Sequence, residues 1–314
     1  MNGFDISTAS DIRLGSTTVS AVYYGSTKLW PSSAHDYSQD YLTFETLEPN
    51  TTIYWKDIVN NNSISYSGND GSTWNTLTSG SGIGIGDAGT KILFKASGLT
   101  ISGIGIGVFS SSGNFNAMGN VMSLIYGDNF VNQTDLTGIN NAFYRLFYQN
   151  TKLISAENLI LPAITLSEYC YNQMFQGCTS LTTAPELPAT TLASYCYANM
   201  FRSCTSLTTA PELHATTMQD WCYGWMFGNC TSLRTAPELP ATTLVTYCYT
   251  NMFNNCSSLD YVKCLATNIS ASNCVKGWLT GAASSGTFVK AASMSSWPRS
   301  TDGIPSGWTV QNAS

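Results

Sequence analysis

The chain has 314 residues, enough for two or three units with real cores. Only 10% of residues are charged, the net charge is −6 at pH 7, and Lys and Arg are scattered. That argues against a nucleic-acid partner, which wants a basic stripe, and against a polybasic membrane patch. Abundant Ser, Thr, Asn and Gly with 12% aromatic residues fit a β-rich extracellular or virion protein better than a soluble metabolic enzyme.

The opening MNGFDISTASDIRL carries no apolar h-region, so no secretory signal is expected. No window approaches the ~18 uninterrupted apolar residues of a membrane span, and no membrane insertion is expected. The first cysteine is Cys170, which argues against an N-terminal lipoprotein anchor. Residues 1–34 contain an echo, LGSTTV and YGSTKLW, each reading as a strand of a small hairpin. Pro31 and the serines after Trp30 end it. A hairpin this small is marginal alone and is expected to dock on a partner or on copies of itself.

Residues 35–128 read as an all-β, sandwich-like domain. YLTFETL and TTIYWKDI are strands, and Asn69-Asp70-Gly71 is a turn between two more. The GIGIG words at Gly82–Gly86 and Gly103–Gly107 lack the Gly-Lys-Ser/Thr and the helix of a phosphate loop. They read instead as Gly alternating with Ile along a strand, one face bare for close backbone approach.

From residue 129 to 285 the chain repeats. Cys170, Cys196, Cys222 and Cys248 lie 26 apart, as do Cys178, Cys204, Cys230 and Cys256. The surrounding words are TLSEYCYNQMFQGCTSL, TLASYCYANMFRSCTSL, TMQDWCYGWMFGNCTSL and TLVTYCYTNMFNNCSSL, joined by links such as TTAPELPAT. A fixed period of this size predicts a solenoid whose units bury their apolar faces only by stacking. NAFYRLFYQNTKL is a degenerate entry unit with Ala142 and Asn150 at the cysteine positions, and residues 286–314, with Trp297 and Trp308, suit a cap. Leu192, Cys196 and Met200 at i, i+4, i+8, with Tyr197 and Phe201 beside them, predict a short amphipathic helix capped by Thr190 or Thr191. Pro211 interrupts the extended link. The expected fold class is therefore α+β and multidomain: an N-terminal β-hairpin and an all-β domain followed by a repeat solenoid.

Eight residues of helix separate paired cysteines by roughly 12 Å, beyond disulfide reach. They read as ladders of reduced, buried thiols; a bond formed by a chain that folds back after the helix is the alternative. No C-x-x-C occurs and His35 and His214 are the only histidines, so no metal or cofactor is expected. His214 reads as a solvated substitution. Glu186, Glu212 and Glu238 form a column that is either a hydrated edge or, less readily, a calcium site. Of the aromatic columns Tyr169–Tyr195–Trp221–Tyr247 and Tyr171–Tyr197–Tyr223–Tyr249, one reads as core and the other as a surface for sugar rings. No catalytic set emerges, because neither histidine sits in a nucleophile context. The helix positions that vary between units, against the monotonous TAPEL link, point to Trp225, Arg202 and Asp220 as ligand contacts, with Tyr223 of the second aromatic column added to them.

The run F-x-x-C-T-S-L with its proline-bearing link resembles the BspA-type leucine-rich repeats of gut Bacteroidetes and their phages. ATTLASYCYANMFRSCTSLTTAPEL is similar to those of crAss-like phages in particular. ISYSGNDGSTWNTL and FNAMGNVMSLIYGDNFVNQTDL are similar to the β-domain before such repeats, and VSAVYYGSTKLWPSS to N-terminal attachment modules of phage fibres. The resemblance covers nearly the whole chain and implies a non-enzymatic fibre or appendage exposed on a virion, on capsid or tail. It would be made in the host cytoplasm, held to other virion proteins through residues 1–34, and homo-oligomeric, with a trimer favoured. The solenoid would bind a bacterial surface glycan or protein. A bacterial surface adhesin and a polysaccharide depolymerase are the rival readings. The 26-residue length and doubled cysteine depart from the usual repeat.

Overall fold

The computed structural model describes residues 13–14, 17–18, 22–24, 27–30, 40–57, 61–96 and 108–314. The chain divides into two compact units, residues 1–39 and 40–314. In the first, β1 (Arg13–Leu14) pairs with β2 (Thr17–Thr18), and β3 (Val22–Tyr24) with β4 (Thr27–Trp30), both antiparallel. Two hairpins form where one was expected, because each Gly-Ser falls between paired strands rather than within one. The second GIGIG word, 103–107, lies outside the described residues.

In the second unit, β5 (Leu42–Thr46), β7 (Ile64–Ser67), β8 (Asn75–Leu77), β10 (Lys91–Lys95) and β12 (Phe115–Asn120) form most of one sheet. A second sheet runs β11 (Val108–Ser111), β6 (Thr51–Lys56), β9 (Gly82–Ile85). Asp70 and Gly71 turn between β7 and β8 with positive φ of 53° and 79°. A Cβ on Gly82 would lie 2.7 Å from the Tyr54 ring, so the bare face of β9 serves that close approach. Phe44, Phe94, Phe109 and Phe115 fill the core with ring centroids 4.8–5.0 Å apart.

The α+β expectation is overturned. The protein is mostly β among the described residues, 25% in strands and 3% helical. Among the described residues the only α-helix is α1 (Ser123–Tyr126), outside the repeats. No leucine-rich-repeat solenoid of alternating strand and helix forms, and the run around Cys196 is a train of turns. Tyr195, Asn199 and Ser203 take left-handed φ of 59°, 56° and 63°. Between them the backbone donors alternate. The N–H groups of Cys196, Ala198, Met200, Arg202 and Cys204 close turns onto the carbonyl three residues back. Those of Tyr195, Tyr197, Asn199, Phe201 and Ser203 donate to the next repeat, at 2.7–3.2 Å. Cys196, Tyr197, Ala198, Met200 and Phe201 are buried, while Asn199, Arg202 and Ser203 are only half-buried.

This ribbon repeats at Tyr169, Gln173, Gly177; at Trp221, Trp225, Asn229; and at Tyr247, Asn251, Asn255, all with positive φ. No β-branched residue occupies a left-handed position in any of these ribbons, as expected from the crowding of Cβ there. The left-handed position reverses the usual helix ranking. Asn199→Gly is expected to leave stability unchanged or raise it, and Asn199→Ala to lower it by about 1 kcal/mol. Urea denaturation of both variants checks this; Ala more stable than Gly would restore the helix.

The stack continues the β-domain core. Phe109 and Phe44 pack on Phe147, and Phe147, Phe175, Phe201, Phe227 and Phe253 then stack ring on ring at 5.3–5.6 Å. At the far end Trp278 stacks on Trp297 at 5.3 Å, and its indole N–H donates to the Gly303 carbonyl at 2.9 Å. The parallel strands β15 (Tyr261–Cys264), β16 (Gly286–Lys290) and β17 (Trp308–Asn312) close that end.

Candidate functional site

The chemistry-bearing side chains of the repeats sort into three sets: a buried thiol and ring core, a link face and the outer face of the ribbons. All ten cysteines are buried with free thiols, so the bridged alternative does not form. The second cysteine of each repeat has a local task. The Sγ atoms of Cys178, Cys204, Cys230 and Cys256 donate to the carbonyls of Phe147, Phe175, Phe201 and Phe227, one repeat back, at 3.0–3.1 Å. Asn150, where the entry unit lacks this cysteine, does the same to the Phe109 carbonyl at 3.1 Å. Burial pushes the thiols up, Cys170 and Cys256 to about 12, so they are poor nucleophiles.

Tyr171, Tyr197, Tyr223 and Tyr249 are the core column. Tyr223 is only 1% exposed and is therefore removed as a ligand contact. The hydroxyls of Tyr171, Tyr197 and Tyr249 are buried without a hydrogen-bond partner. Tyr197→Phe is expected to raise stability by about 1 kcal/mol, read as a higher melting temperature.

On the link face, Glu212, Leu213, His214, Glu238 and Pro240 line an open groove. Glu238 is engaged by Lys263 at 2.8 Å, which interrupts the column of like charges. Among the described residues no three metal-binding side chains come together.

The outer face carries the rest. Tyr169, Tyr195, Trp221 and Tyr247 are half-buried, with centroids 4.6–5.7 Å apart and rings within 13° of parallel. Within the column their faces are occupied by one another and their edges point outward, which corrects the picture of rings open to sugar stacking. Four residues further along, Arg202 lays its guanidinium 4.3 Å over the Trp225 ring, and both are half-buried. A Cβ on Gly228 would stand 2.7 Å from that indole, so glycine there lets the ring lie down. The structure thus joins Arg202 to Trp225. Asp220 is exposed at the start of the ribbon, where its backbone carbonyl accepts from Tyr195 at 3.2 Å, and it forms no ion pair with Arg202.

Sequence reasoning missed Arg145. Its guanidinium sits 4.9 Å over Tyr144 and 4.7 Å over Tyr148, its Nε donates to Gln173 Oε1, and its φ is +63°. The signal was the Tyr-Arg-x-x-Tyr spacing in the entry unit, two aromatics flanking a cation at ribbon period. A second cation cluster, Lys95 over Trp74 at 4.1 Å and paired with Asp128 at 2.6 Å, is structural: it ties the segment after α1 to β10. Comparison with protein-family models, curated proteins and solved structures returns no match.

Proposed function

We propose that the chain is a non-enzymatic virion component, a fibre or appendage, that contacts the bacterial envelope through the outer face of its stacked ribbons. One observation carries the binding part. The inward columns hold the same residues in every full repeat, Cys, Tyr, Met and Phe, whereas the outward columns change from ribbon to ribbon. Gln173, Asn199, Trp225 and Asn251 occupy one such column, and Gln176, Arg202, Gly228 and Asn254 another. A rigid repeated scaffold with altered outward residues is how repeat proteins build binding surfaces. The virion context rests on the resemblance of the F-x-x-C-T-S-L repeats to phage-encoded ones. Residues 1–34 would hold the protein to the particle, and several copies would add avidity to weak single contacts.

Immunogold electron microscopy of purified virions, with an antibody against residues 129–285, tests this. Label projecting from capsid or tail supports a fibre. Label confined to bacterial envelopes overturns it in favour of a cellular adhesin.

A further inference from the structure

Past their first residues the ribbons carry no acidic group of their own, although Glu168 and Asp220 stand at the starts of two of them and the Asp302 carboxylate meets Gly277 of the last. In the ribbon segments 143–151, 171–179, 197–205, 223–231, 249–257 and 275–283 there is no Asp or Glu; the charged residues there are Arg145, Arg202 and Lys276. The whole chain meanwhile has a net charge of −6. Neither arginine has a carboxylate partner among the described residues, and each guanidinium lies over aromatic rings at 4.3–4.9 Å. Guanidinium groups fixed in this way keep their remaining N–H donors aimed and lose little freedom on binding an anion.

We infer that this face binds an acidic polysaccharide, its carboxylates taken by Arg145 and Arg202. Arg145 belongs to the entry ribbon and Arg202 to the second ribbon after it, a separation of about 10 Å along the stack at strand-like spacing. Two fixed cations suit a polymer whose carboxylates recur along its chain of sugar rings, and they are too few for nucleic acid, which is held by many phosphate contacts. Between them Gln173 and Asn199, whose amide oxygens accept from Arg145 and Arg202, keep amide N–H donors of the kind that sugar hydroxyls pair with. The inference rests on the proposed binding role of this face and adds the class of ligand.

The test is affinity electrophoresis of the full chain through gels holding polygalacturonate or its carboxyl-reduced, neutral counterpart. Retardation by the acidic polymer alone, weakening as salt rises, is expected. Arg145→Gln and Arg202→Asn copy the residues that Gln173 and Asn254 supply at these positions in other ribbons, and each should weaken retardation roughly tenfold. Equal retardation by both polymers, or none by the acidic one, overturns the inference, and these two outcomes need no variant to fold. A protein that binds intact bacteria but not the polyuronate would sink the ligand class and leave the binding role standing.

Discussion

The folded chain is expected to lose stability steeply as pH rises from about 9 towards 12. Cys170, Cys248, Cys256 and Cys264 are each raised from 9.0 to about 12, with burial the largest cause. An unfolded thiol releases its proton near 9.0 while the folded one keeps it. The unfolded state then binds fewer protons, so stability falls with pH across that window and is complete below it. One pH unit into the window costs about 1.4 kcal/mol per thiol, or about 6 kcal/mol for these four. That matches the lower end of what holds a domain together, about 5–15 kcal/mol. Burial shifts Cys196, Cys204, Cys222 and Cys230, and the tyrosines Tyr171, Tyr197 and Tyr249, in the same direction. Circular-dichroism melts across this range, paired with a thiol reagent at pH about 8, check it. The expected result is protected thiols at pH 8 and a melting temperature that falls steeply above 9. Thiols that react freely in the folded chain, with melts that do not change, would contradict the buried ladders.

Phe201→Ala is expected to cost about 4 kcal/mol, within the range for deleting a fully buried ring. Phe201 has no exposed surface and lies between Phe175, at 5.3 Å and 1°, and Phe227, at 5.6 Å and 6°. Its loss leaves a cavity and removes two ring pairs. It does so in the middle of a stack where each repeat buries its inner face only against its neighbours. The adjacent Arg202→Asn, on the outer side of the same ribbon, should change stability by less than about 0.5 kcal/mol. Urea denaturation of both separates core from face. A cost below about 1 kcal/mol for Phe201→Ala would mean that the phenylalanine column is not load-sharing.

The stacking was legible in the sequence because the 26-residue period places like residues on like residues. The β-domain was legible from its alternation and from the Asn69-Asp70-Gly71 turn. The helix was misread for a definite reason. Leu192, Cys196 and Met200 recur every four residues, which satisfies a 3.6-residue helix over so short a run and a four-residue turn train equally well. The discriminating residues were Asn251 and Asn255, four apart, with Asn199 and Asn229 at the same two positions of other ribbons, a residue type that tolerates left-handed φ. Of the candidate site, Arg202 and Trp225 were singled out because they lie in columns that vary from ribbon to ribbon. Tyr223 was misplaced because a tyrosine column carries no mark of which side it faces. Arg145 was overlooked because it lies in the entry unit, where no second copy shows the column to which it belongs.

The central claim, that the outer ribbon face is the binding surface, is tested most directly by binding of the full chain to intact host bacteria in two variants. One carries Arg145→Gln, Arg202→Asn and Trp225→Asn, each copied from the equivalent position of another ribbon. The other carries Glu212→Gln and His214→Pro on the link face, the second copying Pro188 and Pro240. The account predicts that the first variant, folded like the parent by its melting curve, loses most of its cell binding while the second keeps it. Retained binding in the first together with loss in the second would move the surface to the link face and contradict the claim.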